Sequence, residues 1–282
     1  MADLGVRPLG GAFGAEIVGF DIGAANSAES VGRIKQALLD HALLVFRDQD
    51  ITPEQHIVFS RHFGELEEHV QTRFLLKGHP EIFVVSNVTA DGKDIGAKNC
   101  ALTWHSDHSY MALPSLGSLF YAVTIPDQGG ETCFADMRAA YDDLPTGKKE
   151  RLVGLQAVHD YLRLQTMQFP DRPLTPEQLA KAPPVLHPVV RTHPESGRRS
   201  LFLGGNVISK CVDASGTEQS RDIVMDLLEI ATHDRYVYTH HYKPGDLVFW
   251  DNRCTMHRAA AYDDGTYPRI MHRTTILGDK PF

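Results

Sequence analysis

Thr103-Trp104-His105-Ser106-Asp107 contains a His-x-Asp pair. In extended chain, side chains two apart project to one side, so an imidazole and a carboxylate there could grip a metal ion. Fifteen histidines and 23 aspartates in 282 residues yield about one such pair by chance, so the spacing alone decides nothing. A second cluster changes the odds: Phe249-Trp250-Asp251-Asn252-Arg253-Cys254-Thr255-Met256-His257-Arg258, in which a strand over 247–250 runs into a polar turn and then His257. In the following segment, 268–276, strand alternation places Arg269, Met271 and Arg273 on one face and Ile270, His272 and Thr274 on the other. Two arginines on one face repel unless an anion lies near them, and a guanidinium captures a carboxylate bidentately. A pair of salt bridges on a barrel exterior is the structural alternative. Two histidines with one carboxylate leave three metal positions open, the arrangement of non-heme Fe(II) oxygen chemistry. Zinc with an activated water competes, but explains two neighbouring arginines less well than an organic-acid cosubstrate does.

The elements that must carry these residues belong to an ordinary globular chain, with 42% hydrophobic and 23% charged residues. A net charge of −8, from 28 Lys plus Arg against 36 Asp plus Glu, argues against a general nucleic-acid binder. No apolar run reaches the roughly 18 residues of a membrane span, and the first residues, MADLGVRPLG, lack a signal-peptide pattern. Cys100, Cys133, Cys211 and Cys254 stand far apart without a CxxC, which rules out a thiolate zinc ribbon and shows no disulfide scaffold. A reducing cytoplasm is the expectation. With no repeat, low-complexity tract or linker, residues 1–282 read as one domain.

Asn26 with Glu29 predicts a capping box and a helix over 27–41, with Val31, Ile34 and Leu38 on one face. Residues 42–46 read as a buried strand. Thr52-Pro53-Glu54-Gln55 opens a second helix that should run to Phe63 and stop at Gly64. A strand over 82–86 precedes an Asp91-Gly92 turn. From residue 101 the chain turns β-rich, with strands expected at 117–124, 131–135, 185–191, 199–204, 235–242, 246–250 and 267–276. Helices are expected near 146–158 and 218–233, the latter with Ile223, Leu227 and Ile230 on one face. Residues 161–184, Pro-rich and carrying Met167 and Phe169, read as a lid or as a solvated excursion. Many short strands with few helices imply a mainly β, α+β architecture: a sandwich or jelly roll with helices packed outside.

The sequence resembles the Fe(II)/2-oxoglutarate-dependent dioxygenases of the taurine dioxygenase and phenoxyacetate-herbicide dioxygenase group over nearly its whole length. The resemblance is carried by Pro8-Leu9-Gly10, Phe13-Gly14-Ala15-Glu16-Ile17, Leu44-Val45-Phe46-Arg47-Asp48-Gln49 and Phe63-Gly64-Glu65-Leu66. It continues through Trp104-His105-Ser106-Asp107, Gly129-Gly130-Glu131-Thr132 and Val190-Arg191-Thr192-His193-Pro194. The most specific part runs from Trp250-Asp251-Asn252-Arg253 through His257 to Met271-His272-Arg273-Thr274-Thr275-Ile276-Leu277-Gly278-Asp279. It implies a double-stranded β-helix, a cupin-like jelly roll. It implies His105, Asp107 and His257 as iron ligands, Thr132 and Arg269 on the distal carboxylate of 2-oxoglutarate, and Arg273 on the C1 carboxylate or the substrate's acid group. Fe(II), 2-oxoglutarate and O₂ would be the reactants' partners, with succinate and CO₂ released.

His69 matches the family's sulfonate-contacting histidine, which implies an anionic substrate; a surface histidine beside Glu67 and Glu68 is the alternative. Taurine dioxygenase has a substrate-contacting tyrosine where this chain has Thr72, and an asparagine where it has Ala101. Both departures remove polar contacts and make taurine a poor fit. The segments Ser86-Asn87-Val88 and 135–142 look more like the phenoxyacetate branch. The expected substrate is therefore a small organic anion (sulfonate, alkyl sulfate or aryloxyalkanoate-type acid) with an apolar body, hydroxylated next to a heteroatom. A homo-oligomer, dimer or tetramer, without nucleic-acid or membrane partners, is expected. A metal-dependent hydrolase and a non-catalytic organic-acid-binding jelly roll are the rival functions.

Overall fold

The computed structural model describes residues 4–69, 71–98, 101–168, 173–181 and 183–282. Strands β1 (Gly5–Pro8) and β2 (Ala15–Val18) pair antiparallel. Helix α1 (Ala28–His41) buries Val31, Ile34 and Leu38 as expected. Its cap is Ser27 rather than Asn26, because extended Ser27 accepts from the Ser30 N–H. Ala42 is not in the next strand; it closes α1 in a left-handed conformation, and β3 spans Leu43–Phe46. Helix α2 (Pro53–Arg61) has the full Thr52/Gln55 capping box. It ends at Arg61, and Phe63 belongs to a closing turn bonded to Ser60. Strand β4 (His79–Ser86) precedes the expected hairpin, whose turn residues Asp91 and Gly92 both have positive φ.

Strands β5 (Gly117–Thr124) and β6 (Thr132–Asp136) follow the sequence reading, and Asp136 caps a short helix the sequence did not reveal, α3 (Met137–Asp142). The helix expected over 146–158 is only α4 (Thr146–Arg151). Gly154 sits at φ +72, and Gln156–His159 then pairs as a strand with Val185–Pro188 and Ile208–Val212. The excursion forms α5 (Tyr161–Gln168) and α6 (Pro176–Lys181). The expected strand 185–191 breaks at Val189 into Val185–Pro188 and Val190–Thr192, which lie in different sheets. Helix α7 (Asp222–Ala231) buries Val224, Leu227 and Ala231, with Ile223 and Ile230 packed at its flanks. The last strands are β7 (Val237–His240), β8 (Leu247–Asp251), β9 (Thr255–Ala259) and β10 (Ile270–Ile276). His257 is therefore in a strand paired with β6, not at the end of a polar turn.

The main sheet runs β1-β2-β3-β8-β5-β10-β4, closed at its edge by Leu75–Leu76; a second sheet runs β7-β6-β9. Both faces of the main sheet are covered, so β3 and β8 are buried at every residue. Leu44, Phe46, Leu247 and Phe249 face α1 and α2, while Leu43, Val45, Val248 and Trp250 face Phe134 of the second sheet. Two facing sheets with external helices make the expected jelly roll.

Two consequences of this packing can be measured. Gly205 has φ +63, and a Cβ there would stand 2.1 Å from the Trp104 carbonyl oxygen, behind His105. Gly205→Ala should destabilise the fold by more than about 1 kcal/mol. Gly32→Ala, in α1 with open space around it, should stabilise by about 0.5–1 kcal/mol. Urea midpoints check both. His56, on α2, is buried against β10, and its Nε2 lies 3.2 Å from Thr274 Oγ1. Burial, and secondarily His272, push its pKa down to about 3. Below about pH 6.5 the unfolded chain therefore takes up a proton that the native state refuses, and stability falls toward acid. In His56→Gln the loss of unfolding free energy between about pH 7.5 and pH 5 should shrink by about 2 kcal/mol.

Candidate active site

His105 and His257 are joined by reciprocal backbone bonds, 3.0 Å from the His105 N–H and 2.9 Å from the His257 N–H. This bridge sets their rings 4.2 Å apart. Asp107 Oδ1 lies 3.7 Å from His105 Nε2 and 3.9 Å from His257 Nε2. One donor atom from each residue falls within 4.8 Å of the others. His272, the other histidine of the C-terminal cluster, pairs across from Tyr121 and is not part of this group.

Asp107 is buried, yet its carboxylate is fixed from several sides. Asn252 accepts from the Asp107 N–H (2.8 Å) and donates to the carbonyls of Asp107 (2.9 Å) and Ser115 (3.0 Å). Ser118 Oγ donates to Oδ2 at 3.1 Å, and Arg273 Nη1 to Oδ1 at 3.3 Å. Burial alone would raise the carboxyl's pKa; the Arg273 guanidinium overcomes it and holds Asp107 well below the ordinary carboxylate range. Burial lowers His105 and pushes His257 down to about 3, so both rings are neutral. His105 Nδ1 lies 2.9 Å from the Thr103 carbonyl, which places its proton there and leaves the Nε2 lone pair facing Asp107. Two neutral imidazoles and one ionised carboxylate are a donor set that fits a divalent cation.

A second His-Asp-Cys group, His193, Asp251 and Cys254, is chemically different. Arg253 takes both Asp251 oxygens, His193 shares one of them, and burial raises the Cys254 thiol. This is a buried ion-pair network, which holds the turn between β8 and β9.

Thr132 begins β6 and Arg269 precedes β10; both are buried. The Arg269 guanidinium lies 5.5 Å from the Phe120 ring and 5.7 Å from the Tyr242 ring, inside the barrel. The exterior salt-bridge alternative is thus excluded. Arg273 lies over Phe83 at 5.2 Å while it reaches Asp107. His69 is half-buried, its ring packed 4.2 Å from Phe83 and 5.8 Å from His108. Burial and then Arg273 push its pKa down to about 3, and its Nδ1 accepts from the Gln71 N–H at 3.1 Å. Glu67 pairs with His108 at 3.2 Å. Thr72 lies exposed in a short turn, and Ala101 has φ +65.

Sequence reasoning missed several of these residues. Asn252 stood within a quoted motif, but its role depends on a fold contact. Ser118 and Tyr242 gave no signal at all. Tyr110, three residues after Asp107, packs with its ring 4.5 Å from that of Tyr161, tilted by 35°, at the start of the 161–184 excursion. Met167 is exposed, whereas Phe169 and Cys100 lie outside the described residues.

The model of the family "Taurine catabolism dioxygenase TauD, TfdA family" matches residues 5–275. The chain is 38% identical over 266 residues to an alpha-ketoglutarate-dependent 2,4-dichlorophenoxyacetate dioxygenase of Burkholderia sp. (strain RASC), covering 91% of this chain and 88% of that protein. It is 32% identical to an alpha-ketoglutarate-dependent sulfate ester dioxygenase of Pseudomonas putida, covering 99% and 91%. The crystal structure of AAD-2 with Mn(II) and N-oxalylglycine superposes with a TM-score of 0.83 at 34% identity, covering 99% of both chains.

The Asn252 bonds generate a prediction that separates scaffold from ligand. Asn252→Ala keeps all three donor residues but frees the Asp107 backbone. Fe(II) affinity should fall about 10- to 100-fold, as measured by competition with a chelator. Wild-type affinity would show that Asn252 does not position the carboxylate.

Proposed function

The chain belongs to the taurine catabolism dioxygenase family, TauD/TfdA, and is a 2-oxoglutarate-dependent non-heme iron dioxygenase; from that premise we propose that it hydroxylates a small organic anion with an apolar or aromatic body next to a heteroatom. The observation that carries this reading is the pairing of charge with aromatic surface: Arg273 and His69 both pack on Phe83, with the Tyr110–Tyr161 pair beyond His108. An acid group meets the arginine and a neutral imidazole, and a ring or alkyl body meets aromatic side chains.

In this reading His105, Asp107 and His257 hold Fe(II). Thr132 and Arg269 receive the distal carboxylate of 2-oxoglutarate. Arg273 steers the C1 carboxylate or the substrate's acid group, and His69 donates to that acid group. Iron, 2-oxoglutarate and O₂ together supply the oxidising power for C–H hydroxylation, with succinate and CO₂ as products. The protein's contribution is orientation and a dry, aromatic-walled pocket. Hydroxylation beside sulfur, oxygen or nitrogen gives an unstable adduct that releases sulfite, a phenol or an amine. The named relatives are dioxygenases, which does not favour the hydrolase or the non-catalytic alternative.

Strands from both ends of the chain share the main sheet, which supports one domain over 1–282. The Tyr161–Tyr110 contact supports 161–184 as a cover for the site. Cys133, Cys211 and Cys254 are buried free thiols, and no helix among the described residues is long and apolar enough to cross a membrane. The free thiols support a cytoplasmic location, and the acidic balance of the chain supports a reading without nucleic-acid partners. A homo-oligomer, dimer or tetramer, completes the reading.

Succinate formation with phenoxyacetate, alkyl sulfates and taurine tests the proposal. Aryl or longer alkyl acids should exceed taurine in kcat/KM; taurine as the best substrate would sink the apolar-pocket inference. Arg269→Ala removes one partner of a desolvated pair, a loss of about 2–5 kcal/mol. The 2-oxoglutarate requirement should therefore rise by about 30-fold or more. His69→Ala should instead raise the substrate requirement and uncouple decarboxylation.

A further inference from the structure

Inside the jelly roll, the Tyr242 hydroxyl donates to Thr132 Oγ1 at 3.2 Å. A threonine hydroxyl has one hydrogen and two lone pairs. If it spent its hydrogen on Tyr242, it could offer an approaching carboxylate only lone pairs, and these repel. With Tyr242 as the donor, a Thr132 lone pair is used and its hydrogen is available to an anion. The phenol keeps its proton: burial raises its pKa well above the ordinary value, and Thr132 and Arg269 offset this only in part. The same residue also touches the arginine. Its ring stands 5.7 Å from the Arg269 guanidinium carbon, and Phe120 contributes a second ring at 5.5 Å, nearly perpendicular to the first. One side chain thus contacts both groups that the functional reading assigns to the distal carboxylate.

We propose that Tyr242 is a positioning residue for the 2-oxoglutarate distal carboxylate: its hydroxyl turns Thr132 into a donor, and its ring, with Phe120, fixes the Arg269 guanidinium. The proposal rests on the reading that Thr132 and Arg269 receive that carboxylate. A Tyr–Thr–carboxylate chain is a polarised relay in which each bond strengthens the next. It also favours a 2-oxo acid whose second carboxylate reaches this depth over one that lacks it.

The test is equilibrium binding to the Fe(II)-loaded protein under nitrogen, without turnover. The ligands are 2-oxoglutarate and pyruvate, which shares the 2-oxo acid head and lacks the distal carboxylate. The proteins are wild type, Tyr242→Phe, Thr132→Val and the double variant. Tyr242→Phe keeps the ring and deletes the donor. It should weaken 2-oxoglutarate by about three- to ten-fold, and leave pyruvate and Fe(II) within about twofold. In the Thr132→Val background the same change should add less than about twofold, because its effect runs through Thr132. Wild-type 2-oxoglutarate affinity in Tyr242→Phe overturns the proposal. So does equal weakening of pyruvate, or a full effect in the Thr132→Val background. A wild-type protein that binds 2-oxoglutarate no better than pyruvate overturns the cosubstrate assignment itself, and the proposal with it.

Discussion

A buried negative charge governs this molecule. Asp107 is ionised in a place where burial opposes ionisation; Arg273, Ser118 and the Asn252 clamp supply the compensation, and the two histidine rings stand beside it. An uncompensated buried carboxylate costs several kcal/mol, so the strands that bring these partners together are constrained as a set. Ser118 comes from β5, Arg273 from β10, Asn252 from the turn after β8 and His257 from β9. The charge that would hold a cation is also the charge that disciplines four separate chain segments.

The two faces of the main sheet divide the labour. Toward the helices, alternate residues of β3 and β8 form an aliphatic and aromatic core. Toward the second sheet, the other half-set lines the chamber that contains Arg269, Thr132 and Tyr242. Strand β10 shows the division within one element: Thr274 meets His56 and Ser60 on the helix side, while Met271 and Arg273 face inward. A one-residue slip would exchange the two environments and place the arginine against α2.

The legible parts of the sequence were those governed by local chemistry. The Thr52/Gln55 capping box, the Asp91-Gly92 turn and the limits of β5 follow from nearest-neighbour preferences. The His105-x-Asp107 pair and the inward face of β10 were also visible as short-range patterns, whereas His257, far along the chain, was singled out as the third ligand only by the family resemblance. What stayed hidden depends on distant partners. The 146–158 region looks helical, yet its second half is drawn into a strand by pairing with Val185–Pro188 and Ile208–Val212. Thr255–Ala259 resembles a polar loop until β6 supplies its ladder. Ser118 and Tyr242 are unremarkable letters whose meaning arises only where another part of the chain lies against them.

The place of β8 in the main sheet bears on how the chain reaches its native state. β3 lies near the N-terminus, yet its neighbour on one side is β8, with Leu44 opposite Phe249 across roughly 200 residues of sequence. β5 also waits for β8, and for β10 beyond it. The middle of the sheet is thus assembled from the last fifth of the polypeptide. During synthesis on the ribosome, the apolar edges of β3 and β5 emerge long before their partners exist. Such high contact order slows folding and exposes unpaired edges to aggregation. The early amphipathic helices α1 and α2, which pack on one face of that sheet, can cover the apolar side chains of β3 from the start, and Phe134 of β6 can join them on the other face before β8 is made.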